Sequence, residues 1–249
     1  NTSGEFVLYW MTATRRYHYN AALDRAIEIS LELGKPLLVV ECISTRHEWS
    51  SERVLTFVVQ GMVDNKSVFE QKGISYVPWI ENHIDSGDGM LSKLSTKACA
   101  VVIDDFPTYL PRWVMERASR TCKVSVEAVD SNGVLPMGYA EGAHKTAYSF
   151  RKHMQKSLHR ALSTFPDEDS MEGVDIDISF DMSRFSEIVD ELDLEFPPLE
   201  WIWRVAEGGS VGRKAMEPLD IDHEVFPVDS VRGGYFSAIS ILENFIERR

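Results

Sequence analysis

Residues 101–113, "VVIDDFPTYLPRW", run three apolar side chains into two adjacent carboxylates, then pass a Phe and a Pro into an amphipathic stretch. An unbroken apolar run reads as a strand buried on both faces, the signature of a parallel sheet covered by helices. "VSVEAVDSNGVLP" (124–136) repeats the pattern and ends its apolar run in Asp130. Upstream, "EFVLYW" (5–10), "PLLVVEC" (36–42), "ISYVPW" (74–79) and "ACAVVID" (98–104) are of the same kind, with "KVSVEAV" (123–129) as the fifth. Pro78 places the third run near an edge or a strand end.

Between these runs the period changes to that of a helix. Leu23, Ala26, Ile27, Ser30 and Leu31 share one face, and Gly34 stands where a helix C-terminus favours a left-handed residue. Leu55, Val58, Met62 and Phe69 form the stripe of a longer helix over 51–71, closed by Gly73. Further helices are predicted over 90–97 and 110–121. The alternation predicts an α/β fold: a three-layer, Rossmann-like, five-stranded parallel sheet with helices on both faces, followed by an extended C-terminal connector. In such sheets ligands bind beyond the carboxyl ends of the strands. Glu41-Cys42, Asp104-Asp105, Asp130 and the loop after Trp10 all fall there.

After Asp130 the pattern changes. Residues 131–145 read as loop and 146–162 as a helix, with Ala147, Phe150, Met154, Leu158 and Ala161 as its apolar stripe. Its other face carries Arg151, Lys152, Lys156, His159 and Arg160. Three readings of that basic face stay open: a solvated surface, a partner for the acidic segment that follows, or a contact to a nucleic-acid backbone. Residues 163–200 hold thirteen acidic residues against one base, Arg184, so this segment accounts for nearly all of the net charge of −13. It reads as a connector with one short helix near 185–192. "LEWIWRV" (199–205) is apolar enough to dock on something, and the last residues form an amphipathic helix without an evident partner.

In a chain of 249 residues with six Trp and twelve Phe, a substantial core is expected. No apolar run reaches the roughly 20 residues that cross a bilayer, so no membrane partner is expected. The start, "NTSGEFVLYW", shows no secretion signal and no initiator Met, the expectation for a processed or cut-down chain. Cys42, Cys99 and Cys122 form no C-x-x-C pair and read as reduced core residues, which suits a cytoplasmic setting.

Several chemistries lack their motif. "EGGSVGRK" (207–214) has the wrong glycine spacing for a phosphate loop and reads as a flexible turn. No G-x-G-x-x-G follows the first strand, the seven histidines are scattered, and there is no nucleophile elbow. No catalytic or metal-binding residue is therefore assigned. Adjacent Asp104 and Asp105 point to opposite faces of a strand, so only one can enter a given site; helix capping and loop binding compete with ligand contact. In "RRYHY" (15–19), two arginines beside aromatics suit an anionic or planar ligand, and equally a solvated loop.

Together, "FVLYWMTATRRYHYNAALDRAIEISLELGKPLLVV", "VVIDDFPTYLPRW", "VEAVDSNGVLP" and "TAYSFRKHMQKSL" resemble the N-terminal half of the DNA photolyases of the photolyase/cryptochrome family, near the class II branch. "HEVFPVDSVRGGYFSAISILENFIERR" resembles the stretch before their flavin domain. The resemblance implies a lyase of DNA repair. Its α/β domain can hold an antenna chromophore, a deazaflavin or a folate. Its helical C-terminal domain binds FAD and a flipped-out pyrimidine dimer in damaged DNA. It divides the chain into a photolyase-like α/β domain (1–162), an acidic interdomain connector (163–233) and the start of the helical FAD-binding domain (234–249). The chain ends where that domain would begin, which gives the expectation of a truncated half unable to repair DNA alone. Its partner would be the C-terminal FAD domain of the same polypeptide, with self-association through the exposed last helix. The positions matching the strand-end loops are Met11, Thr12, Arg15, Glu41, Cys42, Asp104, Asp105, Phe106 and Tyr109. They are the expected cofactor-binding residues, with Phe106 or Tyr109 stacking on a planar ring. Two alternatives remain: a nucleotide-binding module of the electron-transfer-flavoprotein or stress-protein type, and a cryptochrome-like photosensor half.

Overall fold

The unbroken apolar runs and the period-3.6 stretches fold as expected in a computed structural model of the chain. It describes residues 3–83, 86–140 and 142–248, with residues 109–111 as backbone only. Five strands, β1 (Phe6–Met11), β2 (Leu37–Ile43), β3 (Ser75–Ile80), β4 (Ala98–Asp105) and β5 (Ser125–Asp130), pair in the order β3-β2-β1-β4-β5, all parallel. The crossovers are α1 (Ala21–Leu33), α2 (Glu52–Gln71), α3 (Met90–Ser95) and α4 (Tyr109–Thr121). Strand boundaries differ from the sequence reading by one or two residues, the usual scatter at element ends.

Central β1 shows why three layers form. Val7, Tyr9 and Met11 point into one core with Leu23, Ala26 and Ile27 of α1 and Phe69 of α2. Phe6, Leu8 and Trp10 point into the opposite core with Met90 and Leu94 of α3 and Ala118 of α4. Every residue of β1 is buried, so neither face tolerates a polar side chain without a partner. Asn20 caps α1, accepting from the amides of Ala22 and Leu23 at 3.1 Å each, and Gly34 ends it at φ 59°.

In residues 163–200 the one expected helix forms as α6 (Met182–Glu191), and α7 (Leu199–Glu207) and α8 (Gly209–Met216) follow it; α5 (Ala147–Leu162) precedes it. The first part of the connector crosses the amino ends of the strands. The Leu37 amide donates to the Ile178 carbonyl at 2.7 Å, Ser75 Oγ donates to the Phe180 carbonyl at 2.8 Å, and Phe180 meets Phe6 edge-on. Ile178, Phe180, Phe185 and Ile188 are thereby buried in the two cores. The glycines read as a flexible turn instead open α8, which with α7 packs Ile202, Val205 and Met216 on Leu55, Val59 and Met62 of α2.

Several charges of this segment are tied to the α/β unit. Arg184 donates to both oxygens of Glu5 at 2.7 and 2.8 Å, Glu191 pairs with Lys97, and Asp169 with Lys72. Pairing of the acidic segment with the basic face of α5 is not what forms. The last helix, α9 (Tyr235–Glu247), leaves Phe236, Ile241, Leu242, Phe245 and Ile246 at least half exposed, as the sequence suggests. Its start is fastened to α2: Arg232 forks onto Asp64, the Gly233 amide donates to Gln60 Oε1 at 2.8 Å, and the Phe236 amide donates to Asp64. A Cβ on Gly233 would lie 1.9 Å from the Phe57 carbonyl oxygen, so only glycine fits. Gly233→Ala is expected to cost about 1–3 kcal/mol through the forced backbone shift, read as a lower urea midpoint.

A second clamp is titratable. Glu52, 1% exposed at the start of α2, faces His223 Nδ1 at 3.0 Å, while His223 Nε2 faces the Leu219 carbonyl at 3.0 Å. Both ring nitrogens meet acceptors, so the imidazolium is favoured and the bond to Glu52 raises the His223 pKa. This stabilisation is complete below the unfolded value of about 6.5 and is lost as pH rises through the higher folded value. Urea midpoints measured from pH 6 to 9 should fall more steeply for the wild type than for His223→Gln. Parallel profiles would contradict the clamp.

Candidate binding site at the carboxyl rim

Strand order reverses between β1 and β4: β2 and β3 lie on one side, β5 on the other. The crevice beyond their carboxyl ends is where such sheets receive ligands. Here it is filled by Asp104, the next-to-last residue of β4. The carboxylate is 2% exposed. Its Oδ2 accepts three consecutive amides of the β1–α1 loop, from Thr12 at 2.8 Å, Ala13 at 2.7 Å and Thr14 at 3.1 Å. Its Oδ1 accepts the Tyr9 hydroxyl at 2.8 Å. Burial first, and then the Asp104 charge, hold the Tyr9 pKa well above the ordinary phenol range, so Tyr9 is a permanent donor. Asn20 donates to Tyr9 at 3.1 Å and to the Arg16 carbonyl at 2.8 Å while capping α1. Successive loop amides form a concavity suited to an anion. In dinucleotide-binding sheets a phosphate takes that place; here an internal carboxylate does, which is why no glycine-rich loop is needed.

Beside it, Glu41 is fully buried and saturated. It accepts from Arg15 Nη1 at 3.1 Å, Asn65 Nδ2 at 2.8 Å and the Tyr76 hydroxyl at 2.6 Å. Arg15 also donates to the Cys42 carbonyl at 2.5 Å, and Arg16 to the carbonyls of His18 and Tyr19 at 3.0 Å. The arginines of "RRYHY" thus hold their own surroundings. Burial pushes the Cys42 thiol well above its ordinary pKa, so it is no nucleophile.

The expected residues therefore separate by depth. Met11, Glu41 and Asp104 are interior: Met11 packs beneath α1, and the two carboxylates have their acceptor sites filled. Thr12, Arg15 with its side chain 25% exposed, Asp105 and Phe106 lie partly open on the same rim, with Cys42 just beneath. The Asp105 carbonyl accepts Asn132 Nδ2 at 2.7 Å, and Asp130 accepts the amides of Asn132 and Met137, fixing the β5 loop. Asp105 does not cap α4, whose N-cap is Thr108. Tyr109 begins α4, and its side chain lies outside the described residues. Sequence reasoning passed over Tyr9, Asn20, Asn65 and Tyr76. Asn65 and Tyr76 place polar atoms at otherwise apolar positions, and such atoms need partners when buried.

A cavity of about 430 Å³ opens past β2 and β3, lined by Thr45, Arg46, Asn82, His83 and residues 218–220. Another, of about 620 Å³, lies between the first turns of α2, the α7–α8 junction and residues 227–232. No cluster of His, Cys, Asp and Glu suited to a metal ion occurs among the described residues. No helix of the described residues is long and apolar enough to cross a membrane.

Residues 7–170, the sheet with its crossovers and α5, match the family model of DNA photolyase. This chain belongs to the DNA photolyase family, and its α/β unit is that family's N-terminal domain. A deoxyribodipyrimidine photo-lyase of Methanothermobacter thermautotrophicus is 27% identical over 247 residues, 99% of this chain and 48% of that protein. The chain thus spans about half the length of this curated relative. Among solved structures, the archaeal photolyase of Sulfolobus tokodaii with two FAD molecules aligns with a TM-score of 0.49 and 15% identity, covering 61% of this chain and 35% of its own. A bacterial class III photolyase of Agrobacterium tumefaciens aligns at 0.48 and 15% identity, covering 98% and 45%. The family match sets aside the electron-transfer-flavoprotein and stress-protein alternative.

Asp104→Asn would keep the shape of the side chain while removing the charge that holds three amides. Charge-assisted bonds contribute about 1.5–3 kcal/mol each, so a loss of at least ~2 kcal/mol of stability is expected. Amide exchange at Thr12, Ala13 and Thr14 should accelerate with it. Unchanged exchange at these three positions would refute the role given to Asp104.

Proposed function

We propose that this chain serves as the antenna-binding and docking half of a deoxyribodipyrimidine photolyase. The complete protein would continue from α9 into a helical FAD domain that splits cyclobutane pyrimidine dimers in damaged DNA under light. Residues 1–162 are read as the antenna domain, 163–233 as the interdomain connector, and 234–249 as the beginning of the flavin domain. The motifs quoted above favour the class II branch.

The observation that carries this reading is the donor and acceptor set at the carboxyl rim. The amide concavity is occupied from within by Asp104, which disfavours a nucleotide phosphate there. What stays accessible is the edge of a fixed guanidinium, a carboxylate and an aromatic ring: Arg15, Asp105 and Phe106. That set suits a flat, hydrogen-bonding dye such as a deazaflavin or a folate. Phe106, or Tyr109, would stack on the ring system, and Asp105 would accept from its N–H groups. Thr12 and Cys42 would border it, while Met11, Glu41 and Asp104 hold the rim from behind. A bound dye would supply light absorption; the chain's own residues position it and exclude water from its faces.

Deazaflavin, folate and ATP, each titrated into the chain and followed by absorption and melting temperature, test the reading. A dye at 100 times its Kd should stabilise by about 2.7 kcal/mol, and Phe106→Ala should weaken binding at least tenfold. A response to ATP alone would defeat it.

A further inference from the structure

Charge is segregated along this chain in a way the antenna role does not use. Residues 142–166 contain five bases (Lys145, Arg151, Lys152, Lys156 and Arg160) and no acid, while the remaining residues carry −18. All five bases are exposed, and only Ala161 of α5 is buried. In a protein this acidic, internal partners are plentiful, and elsewhere they are taken: Arg184, Lys72 and Lys97 all pair with acids of the connector. Among the described residues, Arg151, Lys152, Lys156 and Arg160 make no ion pair. Lys152 sits over the Tyr148 ring at 5.1 Å and Arg160 over the Tyr139 ring at 5.6 Å.

The arrangement is a ridge. Tyr148, Lys152, Lys156 and Arg160 recur every fourth residue and so share one side of the helix, with Arg151 beside them. From Lys152 to Arg160 the rise is about 12 Å. The apolar side is turned elsewhere: His153 bonds the Tyr139 carbonyl of the 3-10 turn Met137–Ala140, and His144 packs 5.3 Å from Phe150. Phe150, Leu158 and Leu162 stay exposed on that flank, so an anionic lipid surface is the competing partner for a basic amphipathic helix and has its own arm in the experiment below.

We infer that the outer ridge of α5 binds a nucleic-acid phosphate backbone without regard to sequence. An extended row of uncompensated cations, held on a rigid helix with an exposed aromatic at one end, is complementary to a regular polyanion. This extends the reading above by adding a contact on the α/β half, apart from the helical domain proposed to take the lesion. It is testable whatever the dye titration shows.

The experiment is fluorescence anisotropy of the 249-residue chain with a labelled, undamaged 20-base-pair duplex. Each phosphate neutralised contributes a salt slope of about −0.9, so three or four contacts should weaken binding roughly a hundredfold between 50 and 200 mM salt. Replacing Arg151, Lys152, Lys156 and Arg160 together by Gln, a good helix former, should weaken binding at least tenfold at 50 mM salt with the melting temperature retained. Replacing Arg112, Arg117 and Arg120 of α4 by Gln should leave binding within twofold. Four outcomes would overturn the inference: no binding at 50 mM salt; equal losses in both variants; binding to phosphatidylserine vesicles but not to the duplex; or salt-sensitive dimerisation without duplex binding.

Discussion

One buried carboxylate organises the carboxyl end of the sheet. Asp104 gathers three amides from the loop after β1 and the hydroxyl of Tyr9 from inside β1, joining the two strands between which the topology reverses. An ionised group so deep in the fold is tolerable only because its acceptor sites are filled. The loop that begins α1 is held from both ends: Asn20, which caps that helix, donates to the same hydroxyl. The neighbouring Glu41 repeats the device with Arg15, Asn65 and Tyr76, linking β2, α2, β3 and the loop. Two interior anions therefore shape a surface whose outward groups are few and stiffly held.

The two ends of the sheet are finished differently. Polar networks close the carboxyl end, whereas the amino end is covered by chain from the connector, which inserts Ile178 and Phe180 and anchors itself through Arg184 and Glu5. This division reflects what each end must do. A covering of backbone over the amino end buries the tips of the central strands there. Asp169 and Glu191 of the connector pair with Lys72 and Lys97, and Glu168 accepts the Tyr19 hydroxyl of the β1–α1 loop, while Arg151, Lys152, Lys156 and Arg160 of α5 make no ion pair among the described residues.

The repeated strand-helix units were legible because continuous apolar runs of strand length alternate with stretches of helical period, and both signals are local. That the strand-end acids lie on one rim was legible too, since a parallel sheet puts all carboxyl ends together. Their depth was not. Whether Asp104 faces solvent or a ring of amides depends on the path of the β1–α1 loop, 90 residues away in sequence. The packing of the connector on the sheet was not legible for a related reason. Its buried residues Ile178 and Phe180 are isolated in acidic surroundings. They find partners only on elements placed by the rest of the fold, so no local period announces them. Gly208 and Gly209 suggested a loose turn; their positive φ angles instead set the corner between α7 and α8.

At the start of α9, Tyr235 stacks on His18 of the β1–α1 loop with ring centroids 4.2 Å apart. With the Arg232–Asp64 fork and the glycine contact beneath, this leaves the exit path little angular play. Transfer of excitation between chromophores falls steeply with separation and depends on the relative tilt of their transition dipoles. For the antenna role proposed here, a stiff outlet would act as an optical mount, keeping a dye on the rim at a constant attitude to whatever the following polypeptide carries.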